Sequence, residues 1–126
     1  NPNVTIYGNI TRIGTFTSGS GTYTFSGSTT QTISATITAT NVVVSNTSTQ
    51  GLSLTATHTF TNFTLSPNAI LTLAGSTTAF PTTTTRNLDS TSTVQFSGTG
   101  NQTIPAITYG NLITAISGTK TPNMAY

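Results

Sequence analysis

Apolar and hydroxyl-bearing residues alternate along this chain with a period of two. Val4-Thr5-Ile6, Tyr23-Thr24-Phe25, Leu52-Ser53-Leu54, Phe63-Thr64-Leu65 and Leu71-Thr72-Leu73 each read apolar, hydroxyl, apolar, and Val94-Gln95-Phe96 substitutes an amide. Successive side chains of a strand point to opposite faces, so each triplet puts its apolar pair on one side and its polar residue on the other. Val42-Val43-Val44 is an unbroken apolar run, the pattern of a strand buried on both faces. No stretch carries apolar positions at the spacing of an amphipathic helix. Turn formers fall between the strands, at Ser18 to Gly21, Asn46 to Gly51, Pro67-Asn68, Gly75-Ser76 and Ser97 to Asn101. Short strands at this close spacing suit a sandwich, a barrel or a solenoid.

Internal similarity favours the solenoid. Thr40-Asn41-Val42-Val43-Val44-Ser45 lines up with Thr61-Asn62-Phe63-Thr64-Leu65-Ser66, and each is followed by a turn and a second strand. A longer echo runs from Phe25-Ser26-Gly27 to Gln31-Thr32-Ile33 and recurs without a gap, far down the chain, as Phe96-Ser97-Gly98 to Gln102-Thr103-Ile104. Asn41 then corresponds to Asn111, one position short of the same shift. The shorter repeat sets a period near twenty, built from two or three short strands, which is that of one β-solenoid coil. The expected fold is therefore all-β: a parallel β-solenoid of about six short coils across residues 1–126, with repeat units near 22–75 and 93–120. An antiparallel β-sandwich is the alternative. The expected core is Phe25, Ile33, Val43, Phe63, Leu65, Leu71, Leu73, Phe96 and Ile104. The longer echo predicts three coils between Phe25 and Phe96, with both on the same side of the rod and the run Thr82 to Thr85 in a long loop.

Composition narrows the chemistry. Thr supplies 34 residues and Ser 14, while only Arg12, Arg86, Asp89 and Lys120 carry a formal charge. Three cations against one anion do not make a basic patch, so nucleic acid is not an expected partner. No apolar run is long enough for a helix to span a membrane, so no membrane insertion is expected. The Thr, Val, Ile, Phe and Tyr content separates the chain from disordered sequences of low charge. The chain lacks cysteine and does not begin with Met, so either a removed leader or an excised segment is expected.

Catalysis fails on inventory. Glycoside hydrolysis normally needs two carboxylates, and Asp89 is the only acid present. A Ser-His-Asp arrangement would have to use His58 and Asp89, and no Gly-x-Ser-x-Gly elbow accompanies any serine. One His, one Asp and no Cys cannot close a transition-metal shell. No catalytic residue, metal or cofactor is therefore expected. His58, between Thr57 and Thr59, reads as a solvent-facing strand residue. Phe16, Phe25, Phe60, Phe63 and Phe96 read as an internal stack, one per coil. Tyr7, Tyr23 and Tyr109 read as the surface aromatics. Thr-x-Thr pairs at Thr15–Thr17, Thr22–Thr24, 36–40, 55–59 and 82–85 would line a strand face with hydroxyls, as on some ice-binding solenoids. Their spacing is uneven, and no single pair recurs once per coil. Five Asn-x-Ser/Thr sequons, close to chance for this composition, add nothing.

The stretch TYTFSGSTTQTISATITATNVVVSNTSTQGLSLTATHTFTNFTLSPNAILTLAG, from Thr22 to Gly75, resembles the β-strand-repeat regions of long secreted proteins of the Bacteroidetes, many of them surface adhesins exported by the type IX secretion system. The pattern is a Phe-x-Gly turn, a Gln-Thr-Ile strand, an Asn followed by alternating apolar residues, and a closing Leu-Thr-Leu; Val94 to Ile116 restarts it. The resemblance implies an extracellular structural or adhesive role and brings no catalytic residues. It also implies O-glycosylation at Asp89-Ser90-Thr91, on Ser90 or Thr91. The expected function is a stiff stalk or filament part of a cell-surface protein, insensitive to salt and pH for want of charge. Its expected partners are neighbouring coils or copies of the same protein, and surface glycans. The alternative is a glycan- or ice-binding module using a flat Thr-rich face.

Overall fold

The computed structural model describes residues 2–11, 16–115 and 117–123. The strands are β1 (Val4–Ile6), β2 (Phe16–Thr17), β3 (Thr22–Phe25), β4 (Gln31–Ile33), β5 (Ile37–Val44), β6 (Leu52–Leu54) and β7 (Thr59–Leu65). They continue with β8 (Ile70–Leu73), β9 (Thr82–Leu88), β10 (Thr93–Phe96), β11 (Gln102–Pro105), β12 (Asn111–Thr114) and β13 (Lys120–Asn123). Every ladder is parallel. One sheet runs β1-β3-β5-β7-β9, a second β12-β10-β8-β6-β4, and β11 pairs with β13. From β3 onward, strands that follow each other in the chain belong to different sheets, so the chain winds as a β-solenoid, in about five turns rather than six.

β5 shows how a coil turns. Ile37, Ala39, Val42 and Val44 point inward, but two consecutive residues, Thr40 and Asn41, face outward between them. A straight strand cannot place neighbours on one face, so β5 bends there and serves two sides. Its first part pairs with β2 and its last part with β3. β7 repeats the bend at Thr61-Asn62, between Phe60 and Phe63. With β4, β6, β8 and β10 as the remaining side, each middle coil has three strand stretches around one core. Along the line Val4, Tyr23, Val42, Phe63, Arg86 the first two steps are equal in length and each of the next two is longer than the last. The pairing stays in register throughout, so corners rather than strands absorb the length changes.

Phe25, Ile33, Phe63, Leu65, Leu71, Leu73, Phe96 and Ile104 lie in the core cluster. Val43 does not: it is half-exposed, while Val42 and Val44 are buried. The register sets Val43 between Thr24 and Thr64, in an outward row of hydroxyls, so the Val run is an ordinary one-sided strand. Val43→Thr is accordingly expected to change the unfolding free energy by no more than about 0.5 kcal/mol in a urea melt, as for other surface positions.

The longer echo is displaced by one side of the rod. Three coils on from Phe25, past Val44 and Leu65, stands Leu88. Phe96 belongs to the other sheet, paired with Leu73. Likewise the line from Gln31 leads through Leu52 and Leu71 to Val94 rather than to Gln102, and Asn111 pairs with Thr93 rather than joining the row of Asn41. The expected equivalence of Phe25 and Phe96 on one side is therefore wrong. What the echo preserves is a corner. Gln31 Nε2 donates to the carbonyl of Ile6, the partner of Phe25, at 2.8 Å, and to Gly8 at 3.1 Å. Gln102 Nε2 donates to the carbonyl of Leu73, the partner of Phe96, at 3.0 Å, and to Thr78 at 2.9 Å. Both amides are buried and satisfy carbonyls at a turn of the chain.

The run Thr82 to Thr85 is strand, not loop: it opens β9 and pairs with β7. The long connection precedes it, between Leu73 and Thr82. A second loop, Ser45 to Gly51, folds over the outer face of β8 and β10. There Thr72 Oγ1 donates to Gln50 O at 2.7 Å and Gln95 Nε2 to Thr49 O at 3.2 Å. Gly51 ends this loop at φ +54°, where a Cβ would collide with the Ile70 carbonyl. That cover buries Ser53 and Thr72, two hydroxyls the alternation alone would leave in solvent.

Candidate binding surface

On the uncovered side, threonines recur in register. Thr17 pairs with Thr38, Thr38 with Thr59, and Thr59 with Thr82, giving one exposed threonine per coil over four coils. Two positions further along each strand stand Thr40, Thr61 and Thr84, which fall between paired residues and so form a second row. The Thr-x-Thr pair therefore does recur once per coil, contrary to the reading from spacing. The signal was present in sequence as Thr38-Ala39-Thr40, Thr59-Phe60-Thr61 and Thr82-Thr83-Thr84. The step from the second pair to the third is longer than that from the first to the second, and this inequality hid it. Thr15, the expected companion of Thr17, lies outside the described residues. Among the described residues, no hydroxyl of the two rows has a hydrogen-bond partner within the protein. At the bend the amides take over: Asn62 Nδ2 donates to Asn41 Oδ1 at 2.7 Å, and Asn41 Nδ2 to Ser20 O at 2.8 Å.

Behind the rows the packing is aromatic. His58 stacks on Phe60 at 5.8 Å, Phe60 on Phe63 at 5.7 Å, and Phe80 meets Phe63 edge-on at 6.0 Å. This cluster is concentrated on β7 rather than spread one ring per coil, and Phe16 is only half-buried, edge-on to Tyr23. His58 is 1% exposed, which corrects the solvent-facing reading. Its neighbours Thr57 and Thr59 are the exposed ones, so His58 shares the inward face with Phe60. His58 Nδ1 accepts from the Ile37 amide at 3.1 Å, so the neutral ring carries its proton on Nε2, a buried atom without a partner. Burial lowers its pKa from 6.5 to about 4.

Asp89 lies far from such an environment, in the turn after β9. Its Oδ1 accepts from the Thr91 amide at 2.8 Å and the Thr91 hydroxyl at 2.6 Å, and these bonds hold its carboxyl below the usual range. The enclosed His58 and the half-exposed Asp89 are thus not brought together. Ser90 and Thr91 are both exposed in that turn. The Thr91 hydroxyl is engaged by Asp89 and by the Asn68 amide, which leaves Ser90 the freer of the two.

Of the tyrosines, Tyr7 is 71% exposed, while Tyr23 and Tyr109 pack against the core. Burial pushes the Tyr109 phenol up to about 12, against an opposing effect of Arg86, and its hydroxyl donates to Pro105 O at 2.9 Å. Beside it the winding is irregular. The segment after β11 passes β9 without pairing, leaving β9 as a sheet edge and opening a groove of about 700 Å³ between Arg86, Asn87, Leu88 and Ala106, Ile107, Thr108. No family model, curated protein or solved structure matches the chain.

Proposed function

We propose that this chain is a stiff structural module of an extracellular surface protein, working as part of a stalk or adhesive filament. The observation that supports this reading is the parallel pairing of coil on coil around one shared core. In such a stack each coil contacts only its neighbours, which makes a quasi-one-dimensional rod whose stiffness comes from ladder hydrogen bonds and packing. With four charged residues in the whole chain, its cohesion owes almost nothing to ion pairs that salt would screen. The partners this role calls for are further coils, neighbouring copies and the glycans of an opposing surface.

Single-molecule stretching between the two ends tests the mechanical part. The expected trace is a high unfolding force, unchanged between low and molar salt. Featureless extension at low force would overturn it. Antibody labelling of intact source cells tests the location; signal only after permeabilisation would refute an extracellular role.

A further inference from the structure

We propose that the two threonine rows form an ice-binding face, a reading that goes beyond the rod and does not depend on it. Rungs of a parallel ladder stand about 4.8 Å apart, and alternate residues along a strand about 6.7 Å apart. Thr38 and Thr40, Thr59 and Thr61, and Thr82 and Thr84 thus set hydroxyls and methyls on a two-dimensional grid, one step of which is fixed by backbone pairing alone. Such a grid has the scale of the oxygen lattice on an ice surface. β-Branched side chains hold few rotamers, so the hydroxyls are held in place before water meets them. Phe60, inward between Thr59 and Thr61, fixes the backbone from behind through its stack with His58 and Phe63. A preorganised face loses little entropy on binding, and ordered water can serve as the contact layer.

Three further observations favour ice at this face. Glycan recognition by stacking needs openly exposed rings; Phe60 and Phe63, behind the rows, are buried and face the core, and Phe16, beside Thr17, is half-buried and edge-on to Tyr23. The other long sides are also unlike this one. The β8–β10 side is covered by the Ser45 to Gly51 loop, and the row through Thr24, Val43 and Thr64 is half-buried and interrupted by Val43. Neither row of the proposed face contains a charged residue, which would bind liquid water in preference to a lattice.

The test is ice recrystallisation inhibition and thermal hysteresis with the whole chain, alongside Thr38→Lys, Thr59→Lys and Thr5→Lys. Thr5 is exposed in β1, outside the two rows. Circular dichroism melts establish that each variant is folded. The expected result is inhibition by the parent chain and by Thr5→Lys, with Thr38→Lys and Thr59→Lys requiring at least about tenfold more protein, the equivalent of about 1.4 kcal/mol. No inhibition by the folded parent would overturn the proposal. So would equal loss in Thr5→Lys, or unchanged activity in both row variants. Co-sedimentation with powdered cellulose or chitin but not with ice would assign the face to a glycan and equally overturn it.

Discussion

Phe63→Ala is expected to lower the unfolding free energy by about 3–5 kcal/mol, the range for truncating a buried Phe. Its ring is 1% exposed, stacks on Phe60 and receives Phe80 edge-on, so the surrounding rings are held and cannot readily collapse into the space left. Domains of this kind are stable by about 5–15 kcal/mol; one substitution would remove a large share of that. Phe16→Ala is the comparison. That ring is half-buried, and its truncation should cost about 1–2 kcal/mol, near the value of the apolar area alone. Urea melts at a common slope measure both. Equal losses at the two sites would contradict a core centred on β7.

Acidification is expected to destabilise the fold through His58, by about 2–3 kcal/mol on going from neutral pH to the folded-state value. The unfolded chain takes up this proton near 6.5 and the folded one only near 4. Between those values the unfolded state binds more protons, so stability is complete above pH 6.5 and declines as the pH falls towards 4. The local geometry gives the cause. A second proton would have to go on Nδ1, the atom that accepts from the Ile37 amide, leaving two donors facing each other in the core. The chain has one His and one acidic residue, and the Asp89 carboxyl is held below this window, so the transition is unusually clean to assign. Urea midpoints compared at neutral and mildly acidic pH measure it. A flat profile would show that the ring is not enclosed. Low charge is thus expected to leave the rod indifferent to salt, while the enclosed His58 is expected to make it sensitive to acid.

The strands were legible because period-two alternation is a local property: each apolar, hydroxyl, apolar triplet named from sequence lies in one of the observed strands. The stacking of those strands was legible in part. Thr40 to Ser45 and Thr61 to Ser66 share a side because their offset is a whole coil, and Asn41 does pair with Asn62. The Phe25 and Phe96 units carry the same residues at the same spacing, yet a corner motif can occupy any corner, and nothing in its own residues states which. Val43, His58 and Thr82 to Thr85 were misread for a related reason. The bends that reset the inward positions, and the partner strand that recruits a Thr run into β9, belong to tertiary context and not to local pattern. The threonine rows needed the register itself, since coils of unequal length each make one full turn.

The shared corner has a consequence for how such a rod can change. Gln31 and Gln102 perform one local task at two azimuths. An indel the length of a single side, and not only of a full coil, would leave every downstream apolar residue pointing inward. It would screw the remainder of the rod round by one side, moving an outward surface such as the threonine rows to a new bearing without altering its chemistry. Slippage during duplication, elsewhere a frameshift of the fold, would here act as a rotation about the axis.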